Sequence, residues 1–377
     1  MRNRIIVLLL GMFGAFAPIE PHAASTDQSF SLAGEWRFAL DRGDIGVKEQ
    51  WFLRALPERI KLPGALQERG YGDEVTASTD WTATLYDKRW NLKPQYKKYA
   101  QPGNIKIPFF LQPDKRYVGA AWYQRNIQIP DRWKGRRVVL TLERPHWETH
   151  VWLDGRSIGS NNSLSTPHIY DLSTTLAPGT HRLTIRVDNR MIVDVGLDAH
   201  SVTDHTQGNW NGIVGRIELS STNPVWIEDA RVLPNAAKKT ALVRVKIGNA
   251  TAKASSGTLT AGSQSLPVKW DARGGEAEME IPLGEKAELW DEFRPTLQRL
   301  EIRLQGEQVD DRRTLTFGLR QIGTEGTQFT MNGRKFFVRG TLECAVFPKT
   351  GYPPADVETW RRIVRICKEY GCGSFGT

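Results

Sequence analysis

The residues with the greatest chemical capacity in this sequence lie together in the run Asp204-His205-Thr206-Gln207-Gly208-Asn209-Trp210-Asn211-Gly212. An imidazole, two amides and an indole this close could hydrogen-bond to and stack on a sugar, which presents hydroxyls at its rim and C–H groups on its face. His205, Asn209, Trp210 and Asn211 are therefore the candidate ligand-contacting residues. The same run equally suits a structural loop whose Trp packs on the body of the fold. A second polar and aromatic run, Glu143-Arg144-Pro145-His146-Trp147-Glu148, reads as packing at a strand end. The sequence has no His-Glu-x-x-His and no phosphate loop. Its three cysteines, Cys344, Cys367 and Cys372, are odd in number and confined to the end of the chain, which fits neither a disulfide framework nor a zinc spacing. They read as buried, unpaired thiols, and nothing calls for a metal or another cofactor.

The elements that must position these groups are strands. From Phe30 to about Ser221 the pattern has period two: Leu183, Ile185 and Val187 alternate with Thr184, Arg186 and Asp188, and Val138, Leu140 and Leu142 alternate with Val139, Thr141 and Glu143. Trp36, Trp122 and Trp152 fall within such patterns and are expected in a core. Asp154-Gly155 and Ala177-Pro178-Gly179-Thr180 are turn signals between strands. Between Leu53 and Pro113 the alternation lapses, which predicts a long irregular insertion. A second all-β block runs from Asn223-Pro224 to about Gly318, with Val243, Val245 and Ile247, Met279 and Ile281, and Leu300, Ile302 and Leu304 on one face. In the third block, Met331-Asn332-Gly333-Arg334 marks a hairpin turn before a predicted strand Phe336 to Gly340. Asp356 then caps a helix with Val357, Trp360, Val364 and Cys367 on one face, and Gly371 stops it. A strand, a loop and an amphipathic helix open a β/α architecture, so a parallel strand is expected next.

Composition bounds the class. A chain of 377 residues, 40% hydrophobic and 25% charged, is a folded multi-domain protein rather than a disordered tail or a polytopic membrane protein. Its formal charge of +9 is dispersed along the chain, which argues against a nucleic-acid footprint and leaves room for an acidic polysaccharide as partner. Oligomeric state is not legible. Arg2 and Arg4 precede an apolar run from Ile5 to Ala17, and Ala23-Ala24-Ser25 offers a cleavage site, so residues 1–24 read as a signal peptide and the chain as exported, periplasmic or secreted. That run is well short of the roughly 20 residues a bilayer span needs, so no stable membrane anchor is expected.

Several stretches resemble glycoside hydrolase family 2, in the family's order. They are Leu32-Ala33-Gly34-Glu35-Trp36-Arg37-Phe38, Ala121-Trp122-Tyr123-Gln124-Arg125, Trp152-Leu153-Asp154-Gly155, Trp210 through Leu219, and Asn332-Gly333 through Val338-Arg339-Gly340. The resemblance covers about Phe30 to Gly371. It implies a mainly β chain: a jelly-roll sugar-binding sandwich over residues 25–222, an immunoglobulin-like sandwich over 223–318, and over 319–377 the first β/α unit of an incomplete (β/α)8 barrel. It also implies hydrolysis of β-glycosides such as galactosides or glucuronides. Two departures stand out. Gly208 replaces an acidic residue that helps the galactosidases bind sugar, and Thr341-Leu342-Glu343-Cys344-Ala345 replaces a His-Glu pair near the sugar.

Glycoside hydrolysis needs two carboxyl groups, about 5 Å apart for retention, at the C-terminal ends of barrel strands. A barrel takes about 250 residues, and positions 319–377 supply 59. Glu343 is the one carboxylate here expected near a barrel mouth and a candidate sugar contact, without a second to complete the pair. Gly373 and Gly376, where relatives carry Asn and Arg, do not suit a barrel strand and point to an altered reading frame. The expectation is an N-terminal portion of an exported glycosidase, itself inactive. The alternatives are a stand-alone carbohydrate-binding protein and a non-functional fragment.

Overall fold

The structure, a computed structural model, describes residues 29–79, 92–105, 115–173, 176–196, 199, 202, 209–342, 354, 356–372 and 374–376. The first block contributes thirteen strands among the described residues. These are β1 (Ser29–Ser31), β2 (Gly34–Asp41), β3 (Glu58–Leu62), β4 (Gly64–Ala65), β5 (Asp73–Glu74), β6 (Lys115–Arg116), β7 (Ala120–Ile129), β8 (Arg137–His146), β9 (Glu148–Leu153), β10 (Arg156–Asn161), β11 (His168–Asp171), β12 (Gly179–Asp188) and β13 (Gly212–Thr222). One sheet has the order β1-β13-β8-β11, with β4 also on β13, and the other the order β10-β9-β12-β7-β2-β3. The two are antiparallel throughout and share one core, which holds Trp36, Tyr123, Leu140, Leu142, Leu183, Ile185 and Val187. Period two in the sequence has become burial on one face, because alternate side chains point to opposite sides of a sheet.

The other face of the six-stranded sheet is also covered. In β7, Tyr123 points into the main core, so its neighbours Trp122 and Gln124 point out, and Trp122 joins Trp152, Ala39 and Leu56 in a second small core. Residues 42–57 form its lid. Both carboxylate oxygens of Asp41 accept backbone N–H groups of this segment, from Ile45 and Gly46 at 2.8 Å, and the indole N–H of Trp122 donates to the same carboxylate at 2.9 Å. The expected core tryptophans are thus core, but in two layers. The irregular insertion predicted from Leu53 onward contains β3 and β4. Only Ile60 and Leu62 of β3 are buried, at the edge of the sheet, so the apolar alternation is too short to stand out in sequence.

The second block is a sandwich of a three-stranded sheet, β14 (Val225–Asn235), β15 (Thr240–Asn249) and β18 (Gly275–Pro282), on a four-stranded one, β16 (Ser255–Ala261), β17 (Gln264–Trp270), β19 (Gln298–Gly306) and β20 (Val309–Phe317). Every apolar residue singled out from its alternation lies in its core.

The last block begins with a meander, β21 (Ile322–Glu325), β22 (Gln328–Met331) and β23 (Arg334–Lys335). Asn332 and Gly333 take φ of 51° and 78°, the paired left-handed conformation that a tight two-residue hairpin demands. The predicted strand at Phe336 starts later, at β24 (Gly340–Leu342); Phe336 instead donates its N–H to the carbonyl of Phe329 at 3.1 Å, and Phe337 is exposed. Helix α1 (Val357–Glu369) is capped as expected, Asp356 accepting the Thr359 N–H at 2.7 Å. A strand β25 (Ser374–Gly376) follows and pairs with β24 in parallel. The glycine argument against a strand there is corrected: Gly376 is extended and pairs with Leu342. Cys367 and Cys372 are free and half-buried rather than buried.

Candidate functional site

Of the residues singled out for ligand contact, Asn209, Trp210 and Asn211 are described and adjacent to β13, whereas His205 and Glu343 lie outside the described residues. All three described ones are buried. Asn211 donates from its amide nitrogen to the carbonyls of Gly119 (3.0 Å) and Val187 (3.1 Å), and accepts the Tyr123 hydroxyl at 3.1 Å. Asn209 exchanges bonds with Asn189: its amide donates to the Asn189 carbonyl at 2.8 Å, and its oxygen accepts from the Asn189 amide at 3.0 Å. Asn189 also bonds the carbonyl of Tyr117 and the N–H of Gly119. The backbone on the other side is tied by Leu66, whose N–H donates to the Asn211 carbonyl at 2.8 Å. Gly212 is required here, because at its φ of 149° a Cβ would stand 2.4 Å from the Gly64 carbonyl oxygen.

These amides lock four chain segments, around positions 64–67, 117–123, 187–189 and 209–212, into one end of the sandwich. A buried polar network in low dielectric is rigid only when each member is satisfied, as here. Trp210 stacks on His146 at 4.7 Å between centroids, and Trp147 is buried with its N–H on the Asn162 carbonyl, so the strand-end reading of that pair holds. Asn189, Gln67 and Tyr123, the partners that make Asn209 and Asn211 structural, are up to 144 positions away in sequence, and no local signal marks them.

A charged cluster lies on the outer face of the six-stranded sheet. Arg186 reaches Asp44 at 2.8 Å and Asp188 at 2.7 Å, and Arg190 bonds both as well. Burial alone would raise the Asp188 carboxyl, but the hydrogen bonds and charge of Arg190 and Arg186 outweigh it and hold it below the usual carboxylate range; Asp44 is held down in the same way. Burial raises the Glu148 carboxyl, and Arg186 offsets this only in part. Asp44 and Asp188, each held by two guanidinium groups, are not free to serve as acid or nucleophile.

Beside this cluster, His150 stacks on Trp152 at 3.9 Å and its Nε2 lies 2.8 Å from the Ser157 hydroxyl. Ser157 occupies the middle of Gly155-Arg156-Ser157-Ile158-Gly159, a Gly-x-Ser-x-Gly run, so an expectation of no such run in this sequence is corrected. A hydrolase needs that run on a strand-to-helix turn; here it spans the start of β10, after the hairpin from β9, and among the described residues no carboxylate orients the imidazole. Among the described residues no group of three or more His, Cys, Asp or Glu side chains could hold a metal.

Two antiparallel sandwiches in series, followed by a parallel β–α–β unit, define a mainly β, multi-domain chain with its polar locks at the ends of the first sandwich. Residues 83–223 match the model of the glycosyl hydrolases family 2 sugar binding domain. A β-glucuronidase of Paenibacillus borealis is 22% identical over 85% of this chain and 50% of its own length, and β-galactosidase 2 of Enterobacter cloacae is 23% identical over 94% of this chain and 33% of its own. In fold the chain is similar to a family 2 β-galacturonidase of Eisenbergiella tayi bound to galacturonate, with a TM-score of 0.66 over 95% of this chain and 54% of that one at 17% identity. A Ruminococcus gnavus β-glucuronidase gives 0.63, also at 17% identity, over 92% of this chain and 54% of that one. These matches support a relationship to glycoside hydrolase family 2, carried by the sugar binding domain match at residues 83–223. It spans half or less of the length of the curated relatives it matches.

Proposed function

We propose that the chain is the sugar-binding, non-catalytic N-terminal portion of an exported hydrolase of β-glycosides that acts in carbohydrate degradation. The observation that carries this reading is the order of units: a sandwich with the family's sugar-binding domain, a second sandwich, then a strand, helix and parallel strand. That last unit suits the start of a (β/α)8 barrel, on which the carboxylate pair of a complete protein would stand. The first sandwich supplies a rigid scaffold, and its amide network sets where the chain around Asn209 emerges. Export rests on the leader-like residues 1–24. Acidic sugars fit the basic balance of the chain, and relatives named for glucuronides and a galacturonide support that class.

The test is an assay of the purified chain on nitrophenyl β-glucuronide, β-galacturonide and β-galactoside, beside a protein in which the same chain continues into a complete barrel. The longer protein is expected to release nitrophenol and the chain alone none. Turnover by the chain well above a mock purification would overturn its non-catalytic role.

A further inference from the structure

Outside the amide network, a cavity of about 370 Å³ opens on the outer face of the six-stranded sheet, where the lid segment meets β7, β12 and the β9–β10 turn. That volume falls within the range of small-molecule sites, roughly 300–1,000 Å³. Phe52 lines it while lying flat on Trp152, at 5.2 Å between centroids and 6° between planes, so a buried tryptophan holds its ring and part of the ring is left for a ligand. Arg182 and Asn126, paired across β12 and β7, line the wall together with Asp154 and His181.

The charges of this wall are unevenly used. Asp154 is fully engaged, one oxygen on His181 Nδ1 at 2.6 Å and the other on the Arg182 backbone N–H at 2.7 Å. His181 turns its other nitrogen to the Ala177 carbonyl at 2.7 Å. Arg182 differs from Arg186 and Arg190 on the same face. Its guanidinium donates to the Leu53 carbonyl at 2.9 Å, and among the described residues it forms no ion pair, so donors remain for a ligand. A planar cation with free donors, an aromatic face and an exposed amide together match a sugar carrying a carboxylate: the carboxylate on the guanidinium, the C–H face on the ring and a hydroxyl on the amide.

We propose that this cavity is an accessory subsite for a uronic-acid unit of an acidic glycan, separate from the place where a complete protein would cleave it. The proposal rests on the glycan-directed reading above and names the class of sugar and its contacts. Calorimetric titration of the chain with trigalacturonate, and with a neutral galactose trimer as control, tests it. Binding of trigalacturonate is expected to weaken with added salt and to fall about tenfold in Arg182→Gln, the loss of one charge-assisted hydrogen bond. Asn126→Ala, at an exposed position that leaves the fold intact, is expected to lose several-fold, and it carries the test should Arg182→Gln unfold. Equal affinity in the wild type and Asn126→Ala, equal binding of the neutral trimer, or no binding of trigalacturonate would each overturn the subsite. The hydrolase reading would still stand or fall on its own nitrophenyl assay.

Discussion

Asn211 shows how a residue chosen for its ability to meet a ligand can spend that ability on the fold. Its amide bonds two carbonyls and one buried hydroxyl on segments 92, 24 and 88 positions away. Replacing it with Ala removes all three bonds; the part-buried Gly119 carbonyl keeps the Asn189 N–H at 3.4 Å, and each group left unsatisfied in a buried site costs about 1–3 kcal/mol. Asn211→Ala is therefore expected to destabilise the first sandwich by about 3 kcal/mol, read as a lower urea midpoint; an unchanged midpoint would contradict the network. His168 makes a second case at this scale. Its Nε2 faces the Ser163 carbonyl at 2.8 Å and its Nδ1 the Thr149 hydroxyl at 2.6 Å, which the neutral ring protonated on Nε2 satisfies. Burial lowers its pKa from 6.5, and burial with the charge of Arg186 lowers that of His150. Below pH 6.5 the unfolded chain gains protons that these folded rings refuse, so stability falls as pH drops through that window. The depressed carboxyls of Asp44 and Asp188 lose their contribution only below their ordinary 3.8. Urea midpoints at pH 7.5 and 6.0 should differ, and the difference should shrink in His168→Gln. An equal difference in the variant would remove His168 from the account.

At the scale of elements, the lid of residues 42–57 shows what alternation alone conceals. Strand alternation turns Trp122 and Tyr123 to opposite faces, and both faces of the sheet are covered. A lid whose one regular element is the 3-10 turn Trp51–Leu53 has no period to read, and it is held by the Asp41 carboxylate, by Leu56 in the small core and by bonds involving Asp44, Arg182 and Gln124 rather than by an apolar stripe. Gly46 is the point of closest approach: a Cβ there would stand 2.6 Å from the Trp122 indole nitrogen and 2.7 Å from the Asp41 carboxylate. Gly46→Ala must push the lid off the sheet, and a loss of about 2 kcal/mol is expected, in the range for overpacking a filled site. Faster proteolytic cleavage within residues 42–57, with the main core still folded, is the measurement; unchanged cleavage would show that the lid yields without strain. The strand that sequence placed at Phe336 and the structure places at Gly340 has a related cause. An apolar run of Phe and Val suits a strand by propensity, but the pairing partner of β24 is β25, and register with it decides the start.

For the whole molecule, the two sandwiches were legible because each has a separate apolar alternation, while the contacts joining them are polar and distant in sequence. Arg136 sits just before β8, donates to Ser221 at 2.7 Å and to Asn223 at 2.9 Å, and lies close enough to Asp311 of β20 to act on its charge. Beside it, Arg137 lies 4.0 Å over the ring of Trp226 and bonds Asp171. Asp311 in turn accepts the Ile227 N–H at 2.7 Å, and Asn223 donates to the Asp310 carbonyl at 2.9 Å. Burial raises the Asp311 carboxyl, and Arg313 and Arg136 only partly counter it. Arg136 thus bonds the end of the first sandwich and the connecting segment while supporting a half-buried acid of the second. Removing one partner of a buried charged group leaves the other uncompensated, which is where large losses arise. Arg136→Ala is expected to cost about 2 kcal/mol, in the range for a hydrogen bond to a charged group, and to uncouple the two sandwiches. Scanning calorimetry should then resolve two transitions where the native chain gives one for the pair. A single transition at the native midpoint would mean that this polar joint is not what makes the sandwiches unfold together.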